Sequence, residues 1–194
     1  MDINELELTG APARLLAGLD ASTLRHSRRV QKLAVAMGRS LGVSARELAA
    51  LSLGSLLHDV GKRDVPPGIL TKTTALSSSD WEEIQKHPIY GYTYAVQFVS
   101  DDQVRDIILH HHVWYDGQGG YPVSGSVLKP GRLARITTVA DVIDAMTQDR
   151  PYRRALRLED SLTFLQDRKG TQFCPTVVES VFRQVDQIRG LVGA

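Results

Sequence analysis

His58 and Asp59 stand side by side at the end of an apolar run and are followed by Gly61 and Lys62. An adjacent imidazole and carboxylate can serve one metal centre, and the two oxygens of a carboxylate can bridge two ions. Imidazole suits first-row transition metals such as iron, manganese or zinc, whereas carboxylate tolerates harder ions. Two side chains do not complete such a site, so others must arrive from elsewhere. The chain has six histidines, His26, His58, His87, His110, His111 and His112. Taken singly, each reads as an ordinary structural or surface histidine; taken together they are a candidate ligand set. Asp141 and Asp144 lie three residues apart inside the apolar stretch Ile136–Met146, a spacing that puts both on one helical face. Carboxylates are costly to bury unless compensated, and a cation compensates them. The plainer reading of that pair is a solvent-facing stripe or a partnership with an arginine.

The elements that position these residues read as helices. Leu24, Val30, Leu33, Ala34, Met37 and Leu41 form one amphipathic stripe, with Gly42 where a helix would stop. Ser44 followed by Glu47 is a capping box for a helix running to about His58. Ser79 followed by Glu82 repeats that signal and predicts a helix ending near His87-Pro88. Further helices are expected over 89–99, 104–112, 133–146, 158–166 and 176–188, with a Gly-, Pro- and Ser-rich loop over 117–130 and a break at Asp149-Arg150-Pro151. No stretch alternates convincingly as a strand, and there is no internal repeat or long linker. The expectation is one all-α domain over residues 21–194, preceded by an N-terminal extension, 1–20.

With 194 residues, 42% of them hydrophobic, the chain can build a single core. Its net charge of +1 argues against DNA or RNA binding, which needs a broad basic surface. Local clusters at Arg25, Arg28 and Arg29 and at Arg150, Arg153 and Arg154 read as solvated helix faces, or as seats for a small anion. The single cysteine, Cys174, excludes an internal disulfide and points to a reducing compartment. Met1–Gly10 is acidic and lacks a signal pattern, and no apolar run approaches the ~18 residues that cross a bilayer. A cytoplasmic protein without membrane association is expected.

His58-Asp59-Val60-Gly61-Lys62 resembles the signature of the HD phosphohydrolase superfamily. The stretch His111-His112-Val113-Trp114-Tyr115-Asp116-Gly117-Gln118-Gly119-Gly120-Tyr121-Pro122 resembles the second signature, which marks the HD-GYP family of cyclic di-GMP phosphodiesterases. His26-Ser27-Arg28-Arg29, His87-Pro88 with Gly91, Ala140-Asp141, Asp149-Arg150-Pro151-Tyr152-Arg153 and Gly170-Thr171-Gln172-Phe173 follow in the family's order. The likeness runs from about Leu24 to Ile188 and implies an HD-type helical bundle carrying a dinuclear metal site. By resemblance, His26, His58, Asp59 and Asp141 hold one ion; Asp59 bridges to a second, held by His87, His111 and His112. The ions expected are iron or manganese, with zinc, nickel and cobalt as alternatives. Lys62 matches a lysine beside the reacting phosphate, and Tyr121, Arg150 and Arg153 match positions that contact the cyclic dinucleotide. Arginine suits such a place because its fork meets phosphate oxygens two at a time. His110 is left over, and would point away from the site or support it indirectly.

The reaction implied is in-line attack on phosphorus by a hydroxide shared between two ions, with Asp59 and Lys62 as the catalytic side chains. The resemblance implies that cyclic di-GMP is opened to pGpG, hydrolysed to GMP, or both. Alternatives are an HD-type hydrolase for another cyclic or linear nucleotide, and a binding module that has lost catalysis. Retention of all seven ligand positions favours the enzyme over the binding module. Some members hold a third metal with a glutamate that is Ser22 here, so two ions are expected. Val113 replaces the glutamate that commonly follows the double histidine, and the Gly-Tyr-Pro loop carries one extra glycine. Both bear on the loop's shape and on any diguanylate-cyclase-type partner it binds. A homodimer is also compatible with the likeness. Cys174 stands where the family often has aspartate and reads as an inert thiol.

Overall fold

The computed structural model describes residues 10–122, 129–149 and 153–193. Among the described residues there are eleven α-helices and one 3-10 turn, and no strand beyond isolated bridges. The order is α1 (Ala11–Leu16), α2 (Ala21–Ser40), α3 (Ala45–Leu57), the 3-10 turn Val60–Asp64, α4 (Pro67–Leu70), α5 (Ser78–Ile84), α6 (His87–Phe98), α7 (Asp102–His110), α8 (Arg132–Thr147), α9 (Leu158–Asp167), α10 (Pro175–Arg183) and α11 (Val185–Val192). The all-α architecture expected from periodicity is the one observed.

The longest helix, α2, starts where the Asp20 carboxylate accepts from the amides of Ser22 and Thr23 at 2.8 and 3.0 Å. It ends at Leu41, and Gly42 follows with φ of 63°, a left-handed turn that costs glycine nothing. The capping box of α3 is the one read from sequence: Glu47 N donates to Ser44 Oγ, and Ser44 N donates back to the Glu47 carboxylate. At α5 the box lies two residues earlier than expected. Ser77 and Asp80 form it, because Asp80 also accepts from Lys72 Nζ at 2.6 Å and so anchors the helix to the preceding loop. His87 begins a helix where the sequence had it end one. Pro88 fits that first turn, where its missing N–H has no helical partner to lose. The final helix expected over 176–188 is divided at Gln184 into α10 and α11.

The core is continuous. Leu33 and Met37 of α2, Leu51 and Leu57 of α3, Ile107 and Ile108 of α7, and Ile136 and Ile143 of α8 are all closed to solvent. Complete burial of each such side chain contributes about 1.5–3 kcal/mol before entropy is counted. Leu15 and Leu16 of α1 join this core, although they lie in the segment set apart as an extension. Helix α8 is buried on nearly every side, from Leu133 through Ile143, as befits a central helix without a polar face. Asp141 and Asp144 are therefore carried into the interior, where they require partners.

Two close approaches fix the backbone around that interior. Gly61 lies against the first turn of α6, and a Cβ there would overlap the His87 carbonyl oxygen and the Gly91 amide. Gly120, with φ of 84°, closes the loop after α7, where a Cβ would overlap the His112 carbonyl.

Candidate metal centre

Five segments converge on one buried cluster: α2 brings His26, the end of α3 brings His58 and Asp59, α6 brings His87, the end of α7 brings His111 and His112, and α8 brings Asp141. The donor atoms fall into two groups. His26, His58 and Asp59 form one, and His87, His111 and His112 form the other. Asp141 joins the first group through Oδ1, 3.1 Å from His26 Nε2 and 4.0 Å from His58 Nε2. Asp59 stands between the groups. Its Oδ2 is 3.4 Å from Nε2 of both His26 and His58, and its Oδ1 is 3.3 Å from His87 Nε2.

The tautomers follow from the surroundings. His58 Nδ1 lies 2.7 Å from the Ser55 carbonyl, His87 Nδ1 lies 2.8 Å from that of Ile84, and His111 Nδ1 lies 3.0 Å from that of Ile108. A carbonyl can only accept, so each Nδ1 carries the proton and each Nε2 presents a lone pair to the cluster. His26 is oriented the same way by Asp144, whose Oδ2 is 2.6 Å from Nδ1. Arg29 in turn grips Asp144 with Nε at 2.6 Å and Nη2 at 3.0 Å.

These groups fit paired cations. Nε2 of His87 and of His111 lie 3.1 Å apart. With both Nδ1 atoms protonated, that is a meeting of two lone pairs, unfavourable unless a positive centre accepts from both. His58 Nε2 and Asp59 Oδ1 are buried without any hydrogen-bond partner. Imidazole nitrogens and carboxylate oxygens in this mixture suit divalent first-row metals.

Protonation states agree. Burial pushes His87 down to about 3, against the opposing pull of Asp59, and pushes His112 down to about 4, against Asp141 and Asp59. Burial and its histidine neighbours also hold His111 well below the ordinary value. These three rings are neutral at pH 7, the form in which an imidazole can accept a cation. Burial would raise the Asp59 carboxyl, but Lys62 and His58 outweigh it and hold it far below its usual range. At Asp141 burial is outweighed in the same way by the His26 hydrogen bond and the surrounding charges. Burial alone would lower His26, yet Asp141 and Asp144 raise it.

Four members of the cluster, His26, His87, His112 and Asp141, line a cavity of about 760 Å³, within the range of roughly 300–1,000 Å³ typical of small-molecule sites. Lys62 reaches it with Nζ 2.6 Å from Asp59 Oδ2. Tyr121 also lines it, stacked on His112 with ring centroids 4.4 Å apart and planes at 30°. The loop before Tyr121 is clamped: Tyr121 N donates to the His112 carbonyl, while Tyr115 N and Asp116 N donate to the carbonyls of Gln172 and Thr171. That explains why Gly170-Thr171-Gln172-Phe173 accompanies the loop in the sequence.

Arg153 is at the cavity wall, but its guanidinium donates to the carbonyls of Ala145, Met146 and Arg154, tying down the end of α8. Arg150 lies outside the described residues, as do Pro151 and Tyr152. His110 turns away from the cluster and pairs with Asp106 at 2.7 Å, which also accepts from Gly131 N. Ser22 is exposed and lines the cavity. Sequence reasoning weighed Asp144 but gave it no role, and missed Arg29 as its partner. The signal was present, since His26 and Arg29 share a helical face, as do Asp141 and Asp144. Groups that orient a ligating histidine are worth roughly 10- to 100-fold in metal affinity. Asp144→Ala is therefore expected to weaken metal binding by about that factor, measured by competition with a chromophoric chelator. Affinity equal to that of the unaltered chain would remove Asp144 from this role.

A helical domain with a buried, histidine-rich cluster suited to two cations defines the class. The chain belongs to the HD domain family: residues 11–177 match that family's profile, and the Gly-Tyr-Pro stretch places it with the HD-GYP members. It is 33% identical, over 96% of its length and 50% of the relative's, to the cyclic di-GMP phosphodiesterase response regulator RpfG of Xanthomonas campestris. It is 30% identical, over 79% of its length and 33% of the relative's, to 3'3'-cGAMP-specific phosphodiesterase 3 of Vibrio cholerae. The chain thus spans about half or less of the length of these curated relatives. Among solved structures, Bd1817, an HDGYP protein from Bdellovibrio bacteriovorus, superposes with a TM-score of 0.66 at 21% identity over 84% of this chain and 52% of that one. At that identity the likeness is one of fold. Among the described residues, no helix is long and apolar enough to cross a membrane.

Proposed function

We propose that the chain is a metal-dependent phosphodiesterase that hydrolyses cyclic di-GMP to pGpG and then to GMP. The observation that carries this reading is the pair of candidate ligand groups with Asp59 between them and Lys62 beside them, opening on a cavity of small-molecule size. His26, His58, Asp59 and Asp141 would hold one ion, and Asp59, His87, His111 and His112 the other, with iron or manganese as the native metal. The relatives named as cyclic di-GMP phosphodiesterases support the substrate class.

Divalent ions bound there supply Lewis acidity towards phosphoryl oxygens and lower the pKa of water. The chain's own residues do the rest. The Lys62 ammonium, held by Asp59 at the cavity wall, neutralises charge building on the phosphoryl oxygens or assists the departing 3′-oxygen. Water adds to phosphorus, the bond to the 3′-oxygen breaks, and that oxygen leaves with a proton. Tyr121, whose phenol is held protonated first by burial and then by the Asp141 and Asp59 charges, can donate a hydrogen bond to substrate. Arg150 and Arg153 are the further proposed phosphate contacts, Arg153 by releasing the carbonyls that its Nη atoms hold at the end of α8, and a cytoplasmic setting belongs to the same proposal.

A second reading keeps the centre and changes the substrate to cyclic GMP-AMP, favoured by the Vibrio cholerae relative. Incubation of the metal-loaded chain with a panel of cyclic dinucleotides, followed by product analysis, decides between them. The expected result is linear dinucleotide and then GMP from cyclic di-GMP, lost with chelator and restored by manganese or ferrous ion. Absence of hydrolysis of every cyclic dinucleotide by protein carrying two ions would overturn the proposal.

A further inference from the structure

Helices α4 and α5 bury no residue at all. Their apolar side chains are nevertheless not scattered over the surface: Ile69, Leu70, Trp81 and Ile84, with Leu76 from the intervening loop, line the same cavity as His26, His87, His112 and Asp141. Short helices that bury nothing usually contribute little to a fold, yet α5 is firmly anchored. Its N-terminus is closed by Ser77 and Asp80, and Asp80 is tied to Lys72 at 2.6 Å. At its other end the Ile84 carbonyl accepts from His87 Nδ1 at 2.8 Å. Trp81 is three residues before Ile84, about 4.5 Å back along the helix axis. The indole therefore sits one turn away from the carbonyl that orients a residue of the cluster. It is 46% exposed, although tryptophan is the side chain with most to gain from cover.

The geometry points to Trp81 as a stacking platform for one purine base of the substrate, with Ile84 and Leu70 as the apolar floor beneath it. This inference rests on the phosphodiesterase reading above. A phosphodiester placed at Lys62 carries a base on each flanking ribose, and at least one base must lie along a wall of the cavity. The α4 and α5 wall lines the cavity with apolar side chains and one indole and brings no charged group to it, whereas α2 brings His26 and Arg29 and α8 brings Asp141 beside its apolar residues. Every base has a π-face, so stacking on indole tolerates guanine and adenine alike. This subsite then fixes affinity without choosing between cyclic di-GMP and cyclic GMP-AMP.

The test uses the full, metal-loaded chain and two variants, Trp81→Ala and Trp81→Phe, with circular dichroism to check folding. Trp81→Ala should raise KM for both cyclic dinucleotides together by about 5- to 150-fold, the 1–3 kcal/mol that stacking one base contributes, and leave kcat unchanged. Trp81→Phe, which keeps a ring, should lie between the two. Cyclic di-GMP should quench indole fluorescence in the unaltered chain, and the quench should vanish in Trp81→Phe, where Trp114 remains. An unchanged KM in Trp81→Ala, a loss in kcat alone, or a quench that persists in Trp81→Phe would overturn the platform. The outcomes separate this inference from the one it rests on. Quenching through Trp81 without hydrolysis keeps the platform and removes the enzymatic reading. Hydrolysis indifferent to Trp81 does the reverse, and absence of both removes both.

Discussion

Asp59→Ala is expected to abolish turnover and to strip metal from the chain at the same time. Asp59 is 1% exposed and is the carboxylate between the two ligand groups, with Oδ2 towards His26 and His58 and Oδ1 towards His87. Alanine would remove a donor from both groups at once and would leave the Lys62 ammonium, now 2.6 Å from Oδ2, beside neutral imidazoles. Removing a group that merely orients a ligand costs roughly 10- to 100-fold; loss of a shared ligand should exceed that in both metal affinity and rate. His58→Ala provides the contrast, since His58 belongs to one group only. Elemental analysis after purification without chelator, alongside turnover of cyclic di-GMP, reads both quantities. Asp59→Ala protein that retains two ions and full activity would show that the carboxylate is not the bridge.

Gly61→Ala is expected to be nearly as damaging, although glycine has no chemistry to lose. The 3-10 turn after Asp59 lies so close to the start of α6 that a methyl group would overlap the His87 carbonyl oxygen and the Gly91 amide. Both obstacles are backbone, so no rotamer change relieves them. Overpacking a side chain into a core costs typically about 1–3 kcal/mol, and backbone collisions lie at the upper end or beyond. For a chain of this length, about 3 kcal/mol corresponds to a fall in Tm of roughly 6–12 °C. The displacement falls between Asp59 and His87, so metal affinity should drop along with Tm. Thermal unfolding with and without added manganese measures both, and a Tm within a degree or two of the unaltered chain would mean that the turn has room to spare.

The chemistry of this protein was easier to read in its sequence than the outline of its elements. The histidines and aspartates stand in motifs whose order survives any uncertainty about helix ends, and the structure gathers His26, His58, Asp59, His87, His111, His112 and Asp141 in one place. Long amphipathic helices such as α2 announced themselves through the period of their apolar residues. Short elements did not: α1, α4 and the 3-10 turn span too few residues to show a period. The capping box read at Ser79 and Glu82 lies instead at Ser77 and Asp80, where Lys72 from the preceding loop also holds Asp80, a contact that the spacing of serine and glutamate does not reveal. The break at Gln184 carries neither glycine nor proline to mark it. Arg153 was legible as a cation near the site, but its hold on the end of α8 depends on where three carbonyls point.

The contacts that make the centre are drawn from far apart along the chain. His26 and Asp144 are 118 positions apart, Ser55 and Thr137, which join α3 to α8, are 82 apart, and even His87 and His111 are separated by 24. No fragment contains the site, and no early stage of folding can assemble it, because each long closure must first overcome its own entropy. A cation that recognises only the finished arrangement is therefore a folding ligand as well as a cofactor. At a free concentration a thousand times its Kd it would add about 4 kcal/mol to the native state, a sizeable share of the roughly 5–15 kcal/mol that separates a typical domain from its unfolded chain. Metal supply would then set how long each copy survives the cell's proteases, apart from how fast it turns over substrate.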